Sequence, residues 1–320
     1  MPLALQLGAM ASSRLFAQNG AAPAVMRIGA IGIDSSHLPK FTREINRAQA
    51  ANQTRCRVTH LWHDQQPDTT EQRWRQFHEE TLGLGVAETA TLQELLASVD
   101  AVMITAVNGH KHRAFATAAL EAGKRTFVDK PLACTLEDAR AILELSRDTG
   151  IGCFSASSLR FASEIAQLDT AKVGRPRAIE AYGPGTRHEK MEGLFFYGVH
   201  VIEMVDAIMG PGVKRVRAST SPERDLVDLE YRDGRSARLR LERQGSGGFG
   251  ATVHGENGAE QFKANSAAAS AGLIRSIMRF FETAVAPVPL RDTVENVAVM
   301  EAGNQSMKQD AAWIDVPEIQ

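Results

Sequence analysis

The sequence predicts an α/β protein in which a doubly wound parallel sheet is followed by an α+β domain with an open, mainly antiparallel sheet. Up to about residue 154, apolar strand patterns alternate with helical patterns, which is typical of parallel sheets joined by helical crossovers. Beyond residue 155, strands alternate apolar and polar residues at period two, and Asp233-Gly234 and Asn257-Gly258 are hairpin signals. We therefore divide the 320 residues into a leader or extension (1–25), a first domain (26–154) and a second domain (155–320).

Five apolar strand patterns occupy the first domain. They cover Met26–Ile31, Arg57–Trp62, Ala101–Thr105, Thr126–Val128 and Ile151–Phe154. Helical spacing of apolar residues covers Pro39–Ala51, Thr70–Thr81, Thr91–Ser98, Ala114–Ala122 and Leu136–Thr149. Thr135 is placed to cap the last of these helices, and Gly150 to end it.

The second domain contains five further strand patterns. They cover Pro176–Tyr182, Val213–Ser219, Leu226–Tyr231, Ser236–Leu241 and Ala251–His254. Strict alternation indicates a sheet with one buried face. Two helical patterns, Ala268–Val285 and Asp292–Lys308, end the chain.

Composition excludes several classes of function. The chain is 43% hydrophobic and 23% charged, with a formal net charge of −2 and no block of basic residues, so we expect neither nucleic acid nor a membrane surface as a partner. Cysteines 56, 134 and 153 form no Cys-x-x-Cys pair, which indicates neither a disulfide framework nor a zinc site. His110-Lys-His112 has the spacing of a metal pair, but the chain lacks the barrel pattern that such pairs accompany, and we predict no metal. A small-molecule substrate is the expected partner.

The first 24 residues leave the compartment open. They are rich in Leu, Ala, Gly and Ser, carry Arg14 as their only charge, and resemble the apolar and cleavage portions of an export signal without its basic start. A truncated signal would make the protein exported or periplasmic, whereas a disordered extension would leave it cytoplasmic. Polar residues interrupt the apolar run, so we do not expect it to span a membrane.

The segment that ends in Asp129-Lys130-Pro131 says most about function. The third and fourth strands and the helix between them form a strand, helix, strand unit, so Lys130 lies at the C-terminal end of a parallel strand, where open α/β sheets bind ligands. The runs Ala119-Leu-Glu-Ala-Gly-Lys124 and Val128-Asp-Lys-Pro-Leu132 resemble the Glu-Lys-Pro segment of the glucose-fructose oxidoreductase, inositol dehydrogenase and MocA (Gfo/Idh/MocA) family, with Asp129 in place of Glu.

That resemblance extends from Met26 to Val316 and implies a Rossmann-type first domain that binds a nicotinamide cofactor. In the family the lysine contacts cofactor and substrate, which makes Lys130 the first candidate for a catalytic residue. The resemblance also implies cofactor contacts for the following residues: Asn108, His112, Asp129, Lys130 and Arg160.

The loop after the first strand departs from its template. Dinucleotide-binding domains carry Gly-x-Gly-x-x-Gly here, and this chain has Gly29-Ala-Ile-Gly32-Ile-Asp34-Ser35-Ser36-His37. Gly32 takes the first glycine position, but Asp34 stands at the second, where a carboxylate repels the pyrophosphate. Ser35, Ser36, a cationic His37 and free backbone N–H groups near Ser36 to Lys40 would compensate in part; alternatively, Asp34 caps the following helix. We expect this loop, from Gly29 to Ser36, to border the cofactor.

Asp64 ends the second strand, where an acidic residue binds the adenosine ribose in NAD-binding sheets. Because its charge would repel a 2′-phosphate, we expect NAD rather than NADP.

The second site motif is Gly198-Val-His200, with Glu203 one turn later, which resembles the family's Gly-x-His-x-x-Asp segment. It implies that His200 is the general acid/base, with Glu203 orienting it or pairing locally. Phe196 stands where sugar dehydrogenases of the family carry an aspartate, so a usual partner of the substrate is missing.

These residues predict an oxidoreductase that transfers hydride to or from a small hydroxylated (sugar- or polyol-like) or carbonyl compound. Two alternatives stay open: an NAD-assisted lyase or glycosidase, and a non-catalytic ligand-binding protein on the same scaffold. By analogy with the family we also expect a homo-oligomer that forms through the C-terminal sheet, using the apolar face of the strands from Val213 to Leu241.

Overall fold

The computed structural model of the protein describes residues 24–66 and 68–320. The predicted leader, residues 1–25, therefore lies almost wholly outside the described residues. No helix within the described ranges is long and apolar enough to cross a membrane.

The first half of the chain forms a six-stranded, fully parallel sheet. Its strands are β1 (Met26–Ile31), β2 (Cys56–Trp62), β3 (Ala87–Glu88), β4 (Ala101–Ile104), β5 (Arg125–Val128) and β6 (Cys153–Ser155). Its helices are α1 (His37–Ala50), α2 (Glu71–Gly83), α3 (Leu92–Ser98), α4 (His112–Glu121) and α5 (Leu136–Thr149). The order β3-β2-β1-β4-β5-β6 confirms the doubly wound sheet, and its direction of winding reverses between β1 and β4. Such a reversal opens a crevice at the C-terminal ends of those two strands.

The second half forms a seven-stranded mixed sheet. Its strands are β7 (Pro176–Pro184), β8 (Val213–Thr220), β9 (Arg224–Tyr231), β10 (Ser236–Glu242), β11 (Gly250–Gly255), β12 (Ala259–Lys263) and β13 (Ile314–Asp315). The order is β12-β11-β7-β10-β9-β8-β13, in which only the β7–β10 pair is parallel. The expectation of a mainly antiparallel sheet is confirmed. The parallel pair arises because the chain leaves β7 through a helix and returns to β10 by way of β8 and β9.

The remaining helices are α6 (Ser163–Ala166), α7 (Thr170–Val173), α8 (Gly198–Met209), α9 (Ser266–Thr283) and α10 (Leu290–Lys308). Helices α8 and α10 cover the inner face of the second sheet, where Val216, Leu229 and Leu239 are buried. Helix α9 instead joins the core of the first sheet, where Phe280 packs edge-on against Phe154 at 4.8 Å between ring centroids. The second half of the chain therefore contributes one helix to the first half's core.

The apolar face from Val213 to Leu241 is buried within the chain by α8 and α10, so it is not available to another subunit as we had expected. The opposite, outward face of the second sheet carries ion pairs. Asp228 lies between Arg217 and Arg238, at 2.8 and 2.7 Å. Any association through this face would involve these ion pairs.

Candidate active site

A crevice of about 540 Å³ lies at the point where the winding of the first sheet reverses. Residues from both halves of the chain line it. From the first half these include Asp34, Ser35, Ser36, His37, Val107 and Lys130; from the second, Arg187, His188, Lys190, Phe196, Tyr197 and His200. Of the residues predicted from the sequence, this crevice brings together Lys130, His200 and most of the loop after β1.

Lys130 lies two residues beyond the end of β5, where the parallel strand delivers its side chain to the crevice. Its Nζ lies 5.4 Å from the centroid of the Phe196 ring, a cation–π contact. Phe196 packs in turn against His188 and Tyr197, at 4.9 and 5.1 Å between ring centroids. The residue that replaces the expected aspartate thus contacts the lysine through its ring and leaves the ammonium without a carboxylate partner at that position.

His200 lies in the first turn of α8, and its ring packs between Tyr197 and Phe249 at 5.4 and 5.8 Å. Nδ1 is 2.7 Å from Oγ of Ser157, which leaves Nε2 for a ligand in the crevice. Burial of the ring, together with the positive charge of Lys130, holds the pKa of His200 well below 6.5. At neutral pH the imidazole is therefore uncharged and able to accept a proton.

Ser157 makes a contact with His200 that the sequence did not reveal. It follows β6, and its Oγ accepts from the backbone N–H of Leu159 as well as meeting His200. Its own backbone N–H donates to Glu203 at 2.9 Å. Glu203 thus acts on His200 only through Ser157, while its carboxylate pairs with Arg160. The one available signal was that Ser157 lies just beyond the C-terminal end of a strand next to β5.

His37 and Asp129 form a second polar pair at the crevice. Nδ1 of His37 lies 2.6 Å from Oδ2 of Asp129, and the imidazole stacks on Phe41 at 4.9 Å. Burial by itself would raise the pKa of Asp129, but the charge and hydrogen bond of His37, together with the charge of Lys130, hold it at about 2. A histidine backed by a buried, ionised carboxylate is an arrangement suited to proton transfer.

Asp34 connects three loops. Oδ1 accepts from the backbone N–H of Val107 after β4, at 3.0 Å, and Oδ2 from that of Asp68 before α2, at 3.1 Å. The residue is buried, and burial raises the pKa of its carboxyl group although the backbone N–H groups oppose this. The alternative in which Asp34 caps α1 is wrong, since Ser36 is the N-cap residue and contributes no side-chain bond.

The N-terminus of α1 offers fewer donors than we had expected. The N–H of His37 donates to Oγ of Ser35, that of Leu38 to the carbonyl of Ser35, and that of Lys40 to the carbonyl of Ser36. Pro39 has no N–H. The prediction of several free backbone N–H groups between Ser36 and Lys40 is therefore wrong, because the loop satisfies them locally.

Asp64 lies outside the crevice lining, in an ion pair with Lys111 at 2.8 Å. Lys111 also contacts Asp68, whose other oxygen binds Lys190 from the second half at 2.7 Å. These pairs hold the pKa of Asp68 below its usual value in spite of its desolvation. The loop that follows β2 is thus tied both to the loop after β4 and to the second domain.

The other predicted cofactor residues make structural contacts. His112 is fully buried, with its ring nitrogens 2.8 Å from the carbonyl oxygens of Pro131 and Ala106, and burial lowers its pKa. Asn108 accepts from the N–H of His110 and starts a short 3₁₀ turn.

Gly29 lies inside β1, where a Cβ atom would come within 2.8 Å of Leu95. Gly32 has φ +91° and approaches Ala106 so closely that a Cβ atom would lie 2.6 Å from its nitrogen, as a tight turn requires.

Arg160 lies away from the crevice lining and pairs with Glu203 and Asp206. A role of Asn108, His112, Gly29 or Arg160 in cofactor binding remains a prediction.

Comparison with known proteins identifies the first domain. Residues 26–156 match the family profile described as the Gfo/Idh/MocA oxidoreductase family with an NAD-binding Rossmann fold. Residues 26–156 are thus similar to the nucleotide-binding domain of that family. The resemblance stated on the Asp129-Lys130-Pro131 segment is confirmed.

Two relatives match this chain over part of their length. A 1,5-anhydro-D-fructose reductase of Ensifer adhaerens is 35% identical over 106 residues, 31% of each chain. An inositol 2-dehydrogenase of Azotobacter vinelandii is 30% identical over 102 residues, 30% of each chain. The chain thus aligns with about a third of the length of these relatives.

Solved structures match nearly the whole chain, although at low identity. An NAD-binding oxidoreductase from Klebsiella pneumoniae gives a TM-score of 0.73 at 17% identity, over 92% of this chain and 100% of the other. A levoglucosan dehydrogenase in complex with NADH and levoglucosan gives 0.72 at 16%, over 92% and 100%. GenD2 from gentamicin A biosynthesis, in complex with NAD, gives 0.75 at 16%, over 94% and 99%. These matches establish the fold.

The edge of the first sheet and its crevice are of the type that binds a dinucleotide, but two residues there differ from what a dinucleotide site usually offers. The Asp34 carboxylate occupies the gap between the loops after β1 and β4, and the donors of α1 are already satisfied. The acid expected at the ribose, Asp64, is paired with Lys111. A dinucleotide laid along this edge would meet the Asp34 carboxylate and its hydrogen bonds to Val107 and Asp68.

Proposed function

We propose that this protein is an oxidoreductase of the Gfo/Idh/MocA type that transfers hydride to or from a small hydroxylated or carbonyl compound, sugar- or polyol-like in character. One observation carries the proposal: Lys130 and His200, delivered by different halves of the chain, line one crevice at the switch point of an NAD-binding type of sheet. The relatives support the substrate class, since anhydrofructose, inositol and levoglucosan are all ring compounds with several hydroxyl groups.

The proton step belongs to His200. Its imidazole is uncharged at neutral pH, so Nε2 accepts the proton of a substrate hydroxyl as the carbon is oxidised and returns it in the reverse direction. Ser157 holds Nδ1 and so fixes the ring orientation.

Lys130 supplies the positive charge. A fixed ammonium group beside the reacting carbon stabilises the negative charge that develops on the substrate oxygen. The same charge keeps His200 unprotonated, so the two residues support one another. A bound nicotinamide would supply or accept the hydride.

We propose NAD rather than NADP as the cofactor. Asp64 follows β2 where an acidic residue binds the adenosine ribose in NAD-binding sheets, and its carboxylate disfavours a 2′-phosphate although Lys111 lies 2.8 Å away. Asp34 bridges two loops through its hydrogen bonds to the backbone N–H groups of Val107 and Asp68. The proposal requires that this Asp34 bridge opens when the dinucleotide binds. Breaking its two hydrogen bonds costs about 1–3 kcal/mol, which weakens cofactor binding by the same amount.

Turnover assays test the proposal. The wild-type protein is incubated with myo-inositol, levoglucosan or glucose and NAD or NADP, and with 1,5-anhydrofructose and NADH or NADPH, while the reduced cofactor is followed by absorbance. We expect turnover of at least one compound, with kcat/KM about a hundredfold lower in Lys130→Ala and His200→Ala and unchanged in His110→Ala, an exposed control outside the crevice. Full turnover by either crevice variant would overturn the site assignment.

The Asp34 bridge favours a second candidate, a protein that binds its small ligand without a dinucleotide. His37 and Asp129 then provide polar contacts for that ligand in the same crevice. If neither NAD nor NADP binds, even to an Asp34→Gly variant, this second candidate replaces the first.

A further inference from the structure

Outside the crevice, two histidines and a glutamate converge at the edge of the first sheet. His63 follows β2, His78 lies in α2, and Glu88 ends the short edge strand β3. Nε2 of His63 is 3.0 Å from Oε1 of Glu88, and Nε2 of His78 is 2.9 Å from Oε2 of the same residue. All three side chains thus present one ligand atom within 4.8 Å of the others.

The hydrogen bond at Nδ1 of His63 places two hydrogen-bond acceptors, Nε2 and the Glu88 carboxylate, next to each other, and a cation between them would stabilise both. Its Nδ1 lies 2.7 Å from the carbonyl oxygen of Asp64, so Nδ1 carries a proton. In neutral His63 the other nitrogen, Nε2, then presents a lone pair to the Glu88 carboxylate at 3.0 Å. Two acceptors at this distance repel one another unless a positive charge lies between them.

We propose that His63, His78 and Glu88 bind one divalent transition ion of the zinc type. Two imidazole nitrogens and a carboxylate are a ligand set that such ions prefer, and three protein ligands leave a fourth position for water. Tetrahedral coordination at zinc distances separates ligand atoms by about 3.3 Å, close to the two separations already present. The carbonyl of Asp64 that holds Nδ1 of His63 is the outer partner that metal-bound histidines usually have.

A neighbouring donor is consistent with a bound water. The Trp74 indole stacks on His78 at 5.2 Å and meets His63 edge-on at 5.4 Å. Its Nε1–H is buried and has no acceptor among the described residues. A water on the fourth metal position would offer an acceptor close to both imidazoles.

The consequence for the fold is local. The ion would join α2 and β3 to the end of β2, and through His63 it would hold the Asp64 carbonyl where the loop toward α2 begins. His63 is 5% exposed at its side chain, His78 20% and Glu88 37%, so the site is reached from solvent through Glu88. The competing arrangement is one in which both imidazoles bind Glu88 directly, without an ion.

Titration of zinc or cobalt into the metal-free protein distinguishes a metal site from direct contacts between the imidazoles and Glu88. The full chain is freed of metal with a chelator, and ZnCl₂ or CoCl₂ is added at pH 7.5 while heat and, for cobalt, visible absorbance are recorded. We expect one equivalent to bind, with affinity at least about tenfold weaker in His78→Gln and in Glu88→Gln. The exposed histidine variants His110→Gln and His254→Gln serve as matched controls and keep the wild-type affinity.

Two results would overturn the site. One is a wild-type protein that binds no zinc or cobalt beyond what the His78→Gln variant binds. The other is a loss of binding in a control variant equal to the loss in His78→Gln. Circular dichroism shows whether each variant is folded. If His78→Gln does not fold, the conservative Glu88→Gln change at an exposed position still tests the site. The measurement does not depend on turnover, so its failure leaves the proposed oxidoreductase activity unaffected.

Discussion

Asp34 and His37 stand at the second and third positions of the glycine fingerprint, and each makes a contact where glycine would leave space. Asp34 accepts from the backbone N–H groups of Val107 and Asp68, and His37 pairs with Asp129. These contacts stabilise the crevice in the absence of a dinucleotide. The same residues therefore set both the local stability and the accessibility of the pyrophosphate position.

The His37–Asp129 pair makes stability depend on pH. The pKa of Asp129 falls from 3.8 to about 2 in the folded protein. The contribution of the ionised carboxylate to the free energy of unfolding is therefore fully present above pH 3.8 and is lost as pH falls toward 2. At pH 7 we expect Asp129→Asn to lower the free energy of unfolding by roughly 2 kcal/mol, measured by urea denaturation. The difference from wild type shrinks as pH falls through this window. The exposed control Asp148→Asn shows no such pattern; a difference independent of pH would contradict the assignment.

His200 and Lys130 are coupled by charge. Burial and the Lys130 ammonium both lower the pKa of His200, so removing the lysine charge raises that pKa. We expect the His200 C2–H resonance in NMR to titrate well below pH 6.5 in wild type and at higher pH in Lys130→Met. Lys263→Met, on an exposed strand of the second sheet, leaves it unchanged. A wild-type midpoint at or above 6.5 would refute the uncharged state of His200.

At the residue scale, motifs identified Lys130 and His200 because each lies in a contiguous run of the sequence. The partners of Asp34 and the role of Ser157 escaped prediction, since they arise from segments 34 to 73 residues away in the chain. The same holds for the proposed metal ligands His63, His78 and Glu88, which have no motif spacing.

At the scale of elements, periodicity located most of the helices and strands to within a few residues. Edge strand β3 was missed because two residues cannot show a period, and the parallel pairing of β7 with β10 was missed because pairing depends on contacts far apart in sequence. Helix α9 was assigned to the second domain by its position in the chain, yet its apolar face packs on the first sheet.

Arg160 connects the 3₁₀ turn after β6 to α8. Its guanidinium pairs with Glu203 and Asp206, and all three side chains are at most 11% exposed. Removing the arginine leaves two buried carboxylates unpaired, so we expect Arg160→Ala to lower the free energy of unfolding by about 3–5 kcal/mol in urea denaturation. The exposed control Arg140→Ala has little effect. A folded Arg160→Ala protein of wild-type stability but weakened NAD binding would instead favour a direct cofactor role.

At the scale of the whole molecule, the crevice depends on both halves of the chain. Lys190 of the second half binds Asp68 of the first at 2.7 Å, and α9 crosses to the first core. The general architecture followed from the alternation of patterns along the sequence. The contacts of Asp34 at the pyrophosphate position could not be predicted in this way, because they depend on where three loops meet.

Association through the second sheet remains a prediction, now with a polar character. The outward face places Asp228 between two arginines, and Trp313 stacks with Arg215 and Arg217 at 4.7 and 4.9 Å. We expect sedimentation velocity to show an oligomer that dissociates in Asp228→Arg, because three neighbouring cations then repel one another. The exposed change Asp148→Asn, on α5, is the control. A wild-type protein that is monomeric at high concentration would disprove the expectation.

Cofactor binding tests the central claim most directly. Isothermal titration of NAD into wild type, Asp34→Asn and Asp34→Gly measures whether this sheet edge accepts a dinucleotide and whether Asp34 opposes it. We expect weak binding to wild type and binding about tenfold or more tighter to Asp34→Gly, with Asp34→Asn between them, because the charge and then the bridge are removed. If neither NAD nor NADP binds to wild type or to folded Asp34→Gly at millimolar concentration, the proposed nicotinamide-dependent function is contradicted.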